Sequence, residues 1–206
     1  MNAAARLADL IAWGVAGAAL EPGDVSGDFH VVAPFAGGVL VAVIDGLGHG
    51  PEAASAARDA ASVLERHAGA SEIQIMAQCH DALRGSRGVV LSMAMLHGST
   101  DTMSWLGVGN VEAILLRAPG SNLPDDALTT RGGVVGYQVP PLRASFVPLT
   151  RGDTLIMATD GIKTGFGHEI ELGATPEQIA DFIFTRHARR TDDALVLVAR
   201  YLGSRS

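Results

Sequence analysis

The order of regular segments constrains this chain most tightly: strand patterns, two successive helix patterns, more strands, one helix and a last strand. Strand-like runs rich in β-branched residues come first, at 12–18, 29–33 and 39–44. Pro51 then opens an Ala-rich stretch that reaches His67. Within it Ala53, Ala57, Ala60 and Leu64 recur at helical spacing, and Gly69 follows as a stop signal. Ser71, with Gln74 three residues on, forms a capping box that predicts a second helix ending near Gly85. Strands return at 89–96, 102–108 and 111–116, then around Leu128, at 146–149 and at 154–159. Thr175-Pro176-Glu177-Gln178 is another capping box, with proline in the first turn, and predicts a helix to about His187. Ala194–Tyr201 reads as a final buried strand. Regular βαβ alternation would place a helix after each strand, and this chain does not. The pattern predicts an α+β fold of antiparallel sheets with helices packed on their outer faces.

No stretch between these segments has the composition of a linker, so residues 1–206 are expected to form one domain. Aromatics make up only 5% of the chain, which leaves the core to Val, Ile, Leu and Ala. The single cysteine, Cys79, excludes an intrachain disulfide, fits a reducing compartment and sits on an apolar helix face, where it reads as structural. The first ten residues carry Arg6 and Asp9 and lack the pattern of a cleaved leader. Residues 11–20 are mostly apolar but too few for a bilayer span, which takes ~20, and read as a buried strand. A cytoplasmic protein with no membrane partner is expected. The net charge is −7, Lys163 is the only lysine, and no basic stripe is present, which argues against nucleic acid as a partner. No coiled-coil stripe is visible, so a monomer is expected.

Chemistry concentrates in aspartates placed at the ends of apolar runs. Asp28 follows Ser26-Gly27 at the entry to a strand, and Asp45 ends the run 39–44 and precedes Gly46-Leu47-Gly48-His49-Gly50. Asp160 ends the run 155–159 and precedes Gly161, while Asp192 and Asp193 immediately precede the last strand. Any one of these could simply start a turn, where aspartate is common. A carboxylate at the end of a buried strand is poorly solvated, however, and several converging there repel one another. Hard divalent cations, which prefer oxygen ligands, relieve that repulsion. The glycines after Asp45 and Asp160 allow sharp turns and close backbone approach.

Taken in order and spacing, Gly27-Asp28, Asp45-Gly46-x-Gly48-His49-Gly50, Thr159-Asp160-Gly161-Ile162 and Asp192-Asp193-Ala194-Leu195 resemble the motifs of metal-dependent PP2C-type protein phosphatases. The closer likeness is to the bacterial SpoIIE-like branch, in its short stand-alone form. The resemblance covers roughly residues 13–201. It implies a β-sandwich of two antiparallel sheets flanked by helices, in αββα layers. It also implies two Mn²⁺ or Mg²⁺ ions and a metal-activated water that hydrolyses phosphoserine or phosphothreonine. By motif position Asp45 would bridge both ions, the Gly46 carbonyl would ligate one, and Asp160 and Asp192 would hold the other. Asp28 would assist through an ion or its waters, with Asp193 supporting Asp192 or replacing it. His49 could protonate the leaving oxygen or serve the loop, and Asn110 reads as closing a turn. The implied partners are phosphorylated STAS-domain proteins of a stressosome-like signalling complex. Two other readings stay open: a PP2C-like binding module without turnover, and a metal phosphoesterase acting on a small phosphorylated molecule.

Overall fold

The computed structural model describes residues 10–21, 23–189 and 191–203. The reading of the first residues as lacking a leader falls on 1–9, outside the described residues. In chain order the elements are β1 (Ile11–Ala18), β2 (Asp28–Phe35), β3 (Gly38–Gly46), α1 (Pro51–Arg66), α2 (Glu72–Ala82), β4 (Val89–His97) and β5 (Thr102–Val108). They continue with β6 (Glu112–Leu116), β7 (Asp126–Leu128), β8 (Ser145–Pro148), β9 (Thr154–Ala158), a 3₁₀ turn (Phe166–Glu169), α3 (Pro176–His187) and β10 (Ala194–Tyr201). Among the described residues the strands form two antiparallel five-stranded sheets, in the orders β1-β10-β9-β6-β7 and β2-β3-β4-β5-β8.

The sheets face each other, α1 and α2 cover the second, and α3 covers the first. This layering explains why β3 reads as an unbroken apolar run. Its Val39, Val41 and Val43 point into the core between the sheets, while Leu40, Ala42 and Ile44 pack under the helices. Both faces of the strand are buried, so period-2 alternation of polarity disappears. β10 divides likewise: Leu195, Leu197, Ala199 and Tyr201 face the partner sheet, and Ala194, Val196 and Val198 face α3.

Small residues set the layer spacing. α1 turns Ala53, Ala56, Ala57, Ala60 and Ala61 inward, and all are buried. α3 crosses β1 at Gly14, where a Cβ would lie 2.4 Å from the Glu177 Cα. Both capping boxes form: the Ser71 and Thr175 hydroxyls accept from the Gln74 and Gln178 amides, and each glutamine side chain accepts in return from its cap amide. The strand expected at 146–149 spans Ser145–Pro148, and the Leu149 amide adds one further in-register bond to the Asp101 carbonyl at 2.8 Å. Cys79 is buried in α2 and its thiol is pushed up to about 12 by burial, which keeps it unreactive. No described helix is long and apolar enough to cross a membrane.

Candidate metal centre

The strand register determines which aspartates meet. Asp28 at the start of β2 lies directly opposite Asp45 at the end of β3, so both side chains project from the same face of the sheet. Residue parity along β3 makes that face the inner one, shared with Val39, Val41 and Val43. In the other sheet β9 ends at Ala158 and β10 begins at Ala194, which brings Thr159, Asp160, Asp192 and Asp193 to the same end of the sandwich. The Thr159 hydroxyl bridges the sheets there, donating to Asp28 Oδ2 at 2.7 Å. The Thr159 hydroxyl oxygen in turn accepts the Leu195 amide at 3.0 Å, which fixes where the hydroxyl proton points.

Two glycines permit this approach. A Cβ at Gly161 would lie 1.9 Å from the Asp193 carbonyl oxygen, and one at Gly46 would lie 2.3 Å from the Ala53 carbonyl oxygen at the start of α1. Both obstacles are backbone atoms, which cannot swing aside. Gly161→Ala is therefore expected to cost about 2–4 kcal/mol of stability and to separate Asp160 from Asp192. Thermal melts and Mn²⁺ calorimetry would show a lowered Tm and weakened binding. Gly173→Ala, where a Cβ meets nothing within 4 Å, is the control that should change neither.

The adjacent pair Asp192-Asp193 is divided by burial. Asp193 is 5% exposed, and its two carboxylate oxygens accept the Leu20 amide at 2.7 Å and the Gly27 amide at 2.5 Å. It thereby ties the start of β10 to the loop that delivers Asp28. Asp192 is exposed, and its Oδ1 accepts the neighbouring Asp193 amide at 2.9 Å. His49 is exposed at the same end, and its positive charge partly offsets the rise in the Asp192 pKa.

Electrostatics marks the cluster. Burial, reinforced by Asp28, Asp160, Asp192 and Asp193, pushes Asp45 up to about 8. Burial likewise lifts Asp28 to about 7, opposed by the Thr159 hydrogen bond and aided by Asp193, Asp160 and Asp192. Asp192 is raised too, by burial first, with the Asp193 amide acting in the opposite sense. Among the described residues no lysine or arginine forms an ion pair with Asp28, Asp45, Asp160 or Asp192. Asp28 and Asp45 are poorly solvated beside the more exposed Asp160 and Asp192, and the side-chain donor atoms of all four are hard oxygens. That chemistry fits a divalent cation such as Mg²⁺ or Mn²⁺. Among the described residues no three acidic, histidine or cysteine side chains already close on a single point. The carboxylates share one end of the sandwich without closing on one point, and Mg²⁺ characteristically completes its shell with water.

Sequence reading missed two contributors. Thr159 follows an apolar run and reads as its last strand residue, yet it clamps Asp28 across 131 positions of sequence. Asn110 does sit in a turn as expected, and in addition its Nδ2 donates to Asp160 Oδ2 at 2.8 Å. The unusual Gly107-Val108-Gly109-Asn110 spacing was the one available signal: Gly109 adopts φ +102, and its turn aims Asn110 across at β9.

Comparison with known proteins agrees with this fold. The family model described as Stage II sporulation protein E (SpoIIE) matches residues 36–202. The phosphoserine phosphatase RsbX of Bacillus subtilis (strain 168) is 22% identical over 163 residues, spanning 79% of this chain and 80% of RsbX. A solved structure from the bacterial stressosome, described as a modular system adapted to control secondary messenger signaling, is 30% identical with a TM-score of 0.83. It covers 92% of this chain and 99% of its own. The crystal structure of RsbX in complex with magnesium has a TM-score of 0.83 at 21% identity, over 94% of this chain and 96% of RsbX. With its strand-end aspartates gathered at one end of an αββα sandwich, the chain is a PP2C-type phosphatase and belongs to the SpoIIE family.

Proposed function

We propose that this chain removes phosphate from serine or threonine side chains of a phosphorylated protein, using two Mn²⁺ or Mg²⁺ ions held by its aspartates. The observation that carries this reading is the meeting of Asp28, Asp45, Asp160 and Asp192 at one end of the sandwich, where burial first and the neighbouring carboxylates second push Asp28 to about 7 and Asp45 to about 8. Asp45, at the centre of the cluster, would be shared between the ions, with the Gly46 carbonyl beside it. Asp160 and Asp192 would hold one ion from the other sheet, and Asp28 would hold an ion or orient its water. Bound there, the ions would supply a nucleophilic water near neutral pH and neutralise charge on the phosphoryl oxygens.

The remaining tasks fall to the chain. Thr159 keeps one Asp28 oxygen occupied and so leaves the other to face the cluster. Asn110 performs the same service for Asp160. Asp193 spends both of its oxygens anchoring the loop that carries Asp28, which supports Asp192 as the ligand of the two. The exposed His49 biases Asp192 towards its ionised form and, as an imidazole near the cluster, would be the donor of a proton to the leaving serine oxygen.

The substrate class in this reading is phosphorylated STAS-domain proteins of a stressosome-like complex, a reading supported by the likeness to the phosphoserine phosphatase RsbX and to a stressosome structure. The test is phosphate release from such a phosphoprotein. Mn²⁺ should give turnover, excess EDTA should abolish it, and nucleotides or small phosphate esters should turn over far more slowly. Release that persists in EDTA would contradict the reading, and a preference for nucleotides would redirect it to a small-molecule substrate.

A further inference from the structure

One cation stands against the aspartate-bearing loop and has no part in the roles above. Arg87 lies in the turn between α2 and β4, and the strand register carries it to the loop after Asp45. Gly46 pairs with Val89, and the Leu47 amide then bonds the Gly88 carbonyl at 3.1 Å. The next position brings Arg87 alongside Gly48. A Cβ at Gly48 would lie 2.7 Å from an Arg87 Nη, so the absence of a side chain there makes room for the guanidinium. Arg87 Nε donates to Glu52 Oε2 at 2.6 Å, in the first turn of α1.

The turn that presents Arg87 is stiff. The Ser86 hydroxyl donates to the Leu83 carbonyl at 2.7 Å and accepts the Gly88 amide at 3.0 Å. Gly88 takes φ +79, with its Cα hemmed in by Val134 and Val135. The side chain itself is half exposed, at 48%, and its Glu52 partner is 72% exposed. An ion pair so open to water contributes little to stability. Glu52 occupies only Nε, while a guanidinium carries five donors arranged to take an oxyanion in bidentate fashion.

We propose that Arg87 is a substrate-binding residue, which engages an oxyanion of the incoming phosphoprotein at the rim of the aspartate cluster. This rests on the phosphatase reading above. The oxyanion could be the phosphoryl group itself or a carboxylate beside the phosphorylated residue. Glu52 competes with the substrate for the guanidinium.

The experiment compares wild type, Arg87→Ala and Glu52→Gln on a serine phosphopeptide, with acidic or neutral residues flanking the phosphoserine, and on para-nitrophenyl phosphate. Affinity for the labelled peptide is read separately by fluorescence anisotropy. Arg87→Ala should raise KM and Kd for the acidic phosphopeptide roughly tenfold while kcat stays within about twofold. Glu52→Gln should leave them unchanged or lower them, because it frees the guanidinium. If Arg87 only braced α1 through Glu52, the two substitutions would act alike, and equal losses would overturn the proposal. So would an unchanged Kd in Arg87→Ala. A parallel KM increase for para-nitrophenyl phosphate identifies the phosphoryl group as the oxyanion. A loss confined to the acidic-flanked peptide identifies the carboxylate. Absence of Mn²⁺-dependent turnover in wild type would refute the phosphatase reading, whereas the anisotropy comparison would still decide the role of Arg87.

Discussion

Asp45→Asn should abolish phosphate release, lowering kcat by ~10³-fold or more, while making the metal-free protein more stable. The two effects share one cause. Asp45 faces four neighbouring carboxyl groups in a poorly solvated place, and its pKa stands at about 8 against an ordinary 3.8. A carboxyl raised in this way binds its proton more tightly in the folded than in the unfolded chain. Stability is therefore complete below about pH 4 and is lost as the pH rises through the folded-state value near 8. Asparagine has the same shape but cannot ionise. In EDTA the variant should match wild type near pH 4 and exceed it by about 1–3 kcal/mol above pH 8, a figure discounted for the solvent reaching this partly exposed side chain. That corresponds to roughly 3–9 °C in Tm for a chain of this size. Added Mn²⁺ should raise the Tm of wild type and leave the variant almost unmoved. Melts across the pH range, with and without Mn²⁺, check both halves.

Asp153→Ala should be the most destabilising single change at the far end of the sandwich. Asp153 begins the turn into β9, the opposite end of that strand from Asp160, and is 1% exposed. Its oxygens take Arg117 Nη1 at 2.8 Å, the Ala118 amide at 2.8 Å and the Thr150 amide at 3.0 Å. Arg117, itself 7% exposed, also donates to the Pro124 carbonyl at 3.1 Å and the Pro148 carbonyl at 2.7 Å, and pairs with Asp126. Removing Asp153 strands a buried guanidinium and two amides, at a cost of about 3–5 kcal/mol. The Tm should fall by roughly 8–15 °C. Arg117→Met combined with Asp153→Leu should recover part of that loss, because it removes the stranded charge as well. Below their melting temperatures both variants should bind Mn²⁺ as wild type does.

This network was invisible in the sequence, where Arg117, Asp126 and Asp153 look like ordinary surface charges. What joins them is a fold in which β6 and β9 pair, and no local pattern encodes that pairing. The strands themselves were legible because burial on both faces leaves uninterrupted apolar runs, as in β3 and β10. The helices were legible because Ser71-Gln74 and Thr175-Gln178 satisfy their first amides locally. The aspartates were legible as strand ends, and antiparallel pairing converts shared strand ends into a shared place. The roles of Asp192 and Asp193 could not be read from their adjacency. Alternation along the chain gives one to solvent and the other to the Leu20 and Gly27 amides, and it takes the folded loop to show which. Thr159 and Asn110 escaped for the same reason, since each acts on a residue at least 50 positions away.

Anomalous diffraction from a crystal soaked in Mn²⁺ addresses the central claim most directly. Two manganese peaks should appear at the Asp28–Asp45 end of the sandwich, with an Asp45 oxygen roughly 2.1 Å from each, and with Asp160 and Asp192 ligating one of them. Manganese elsewhere on the surface, or none beside Asp45 at saturating concentration, would contradict the account.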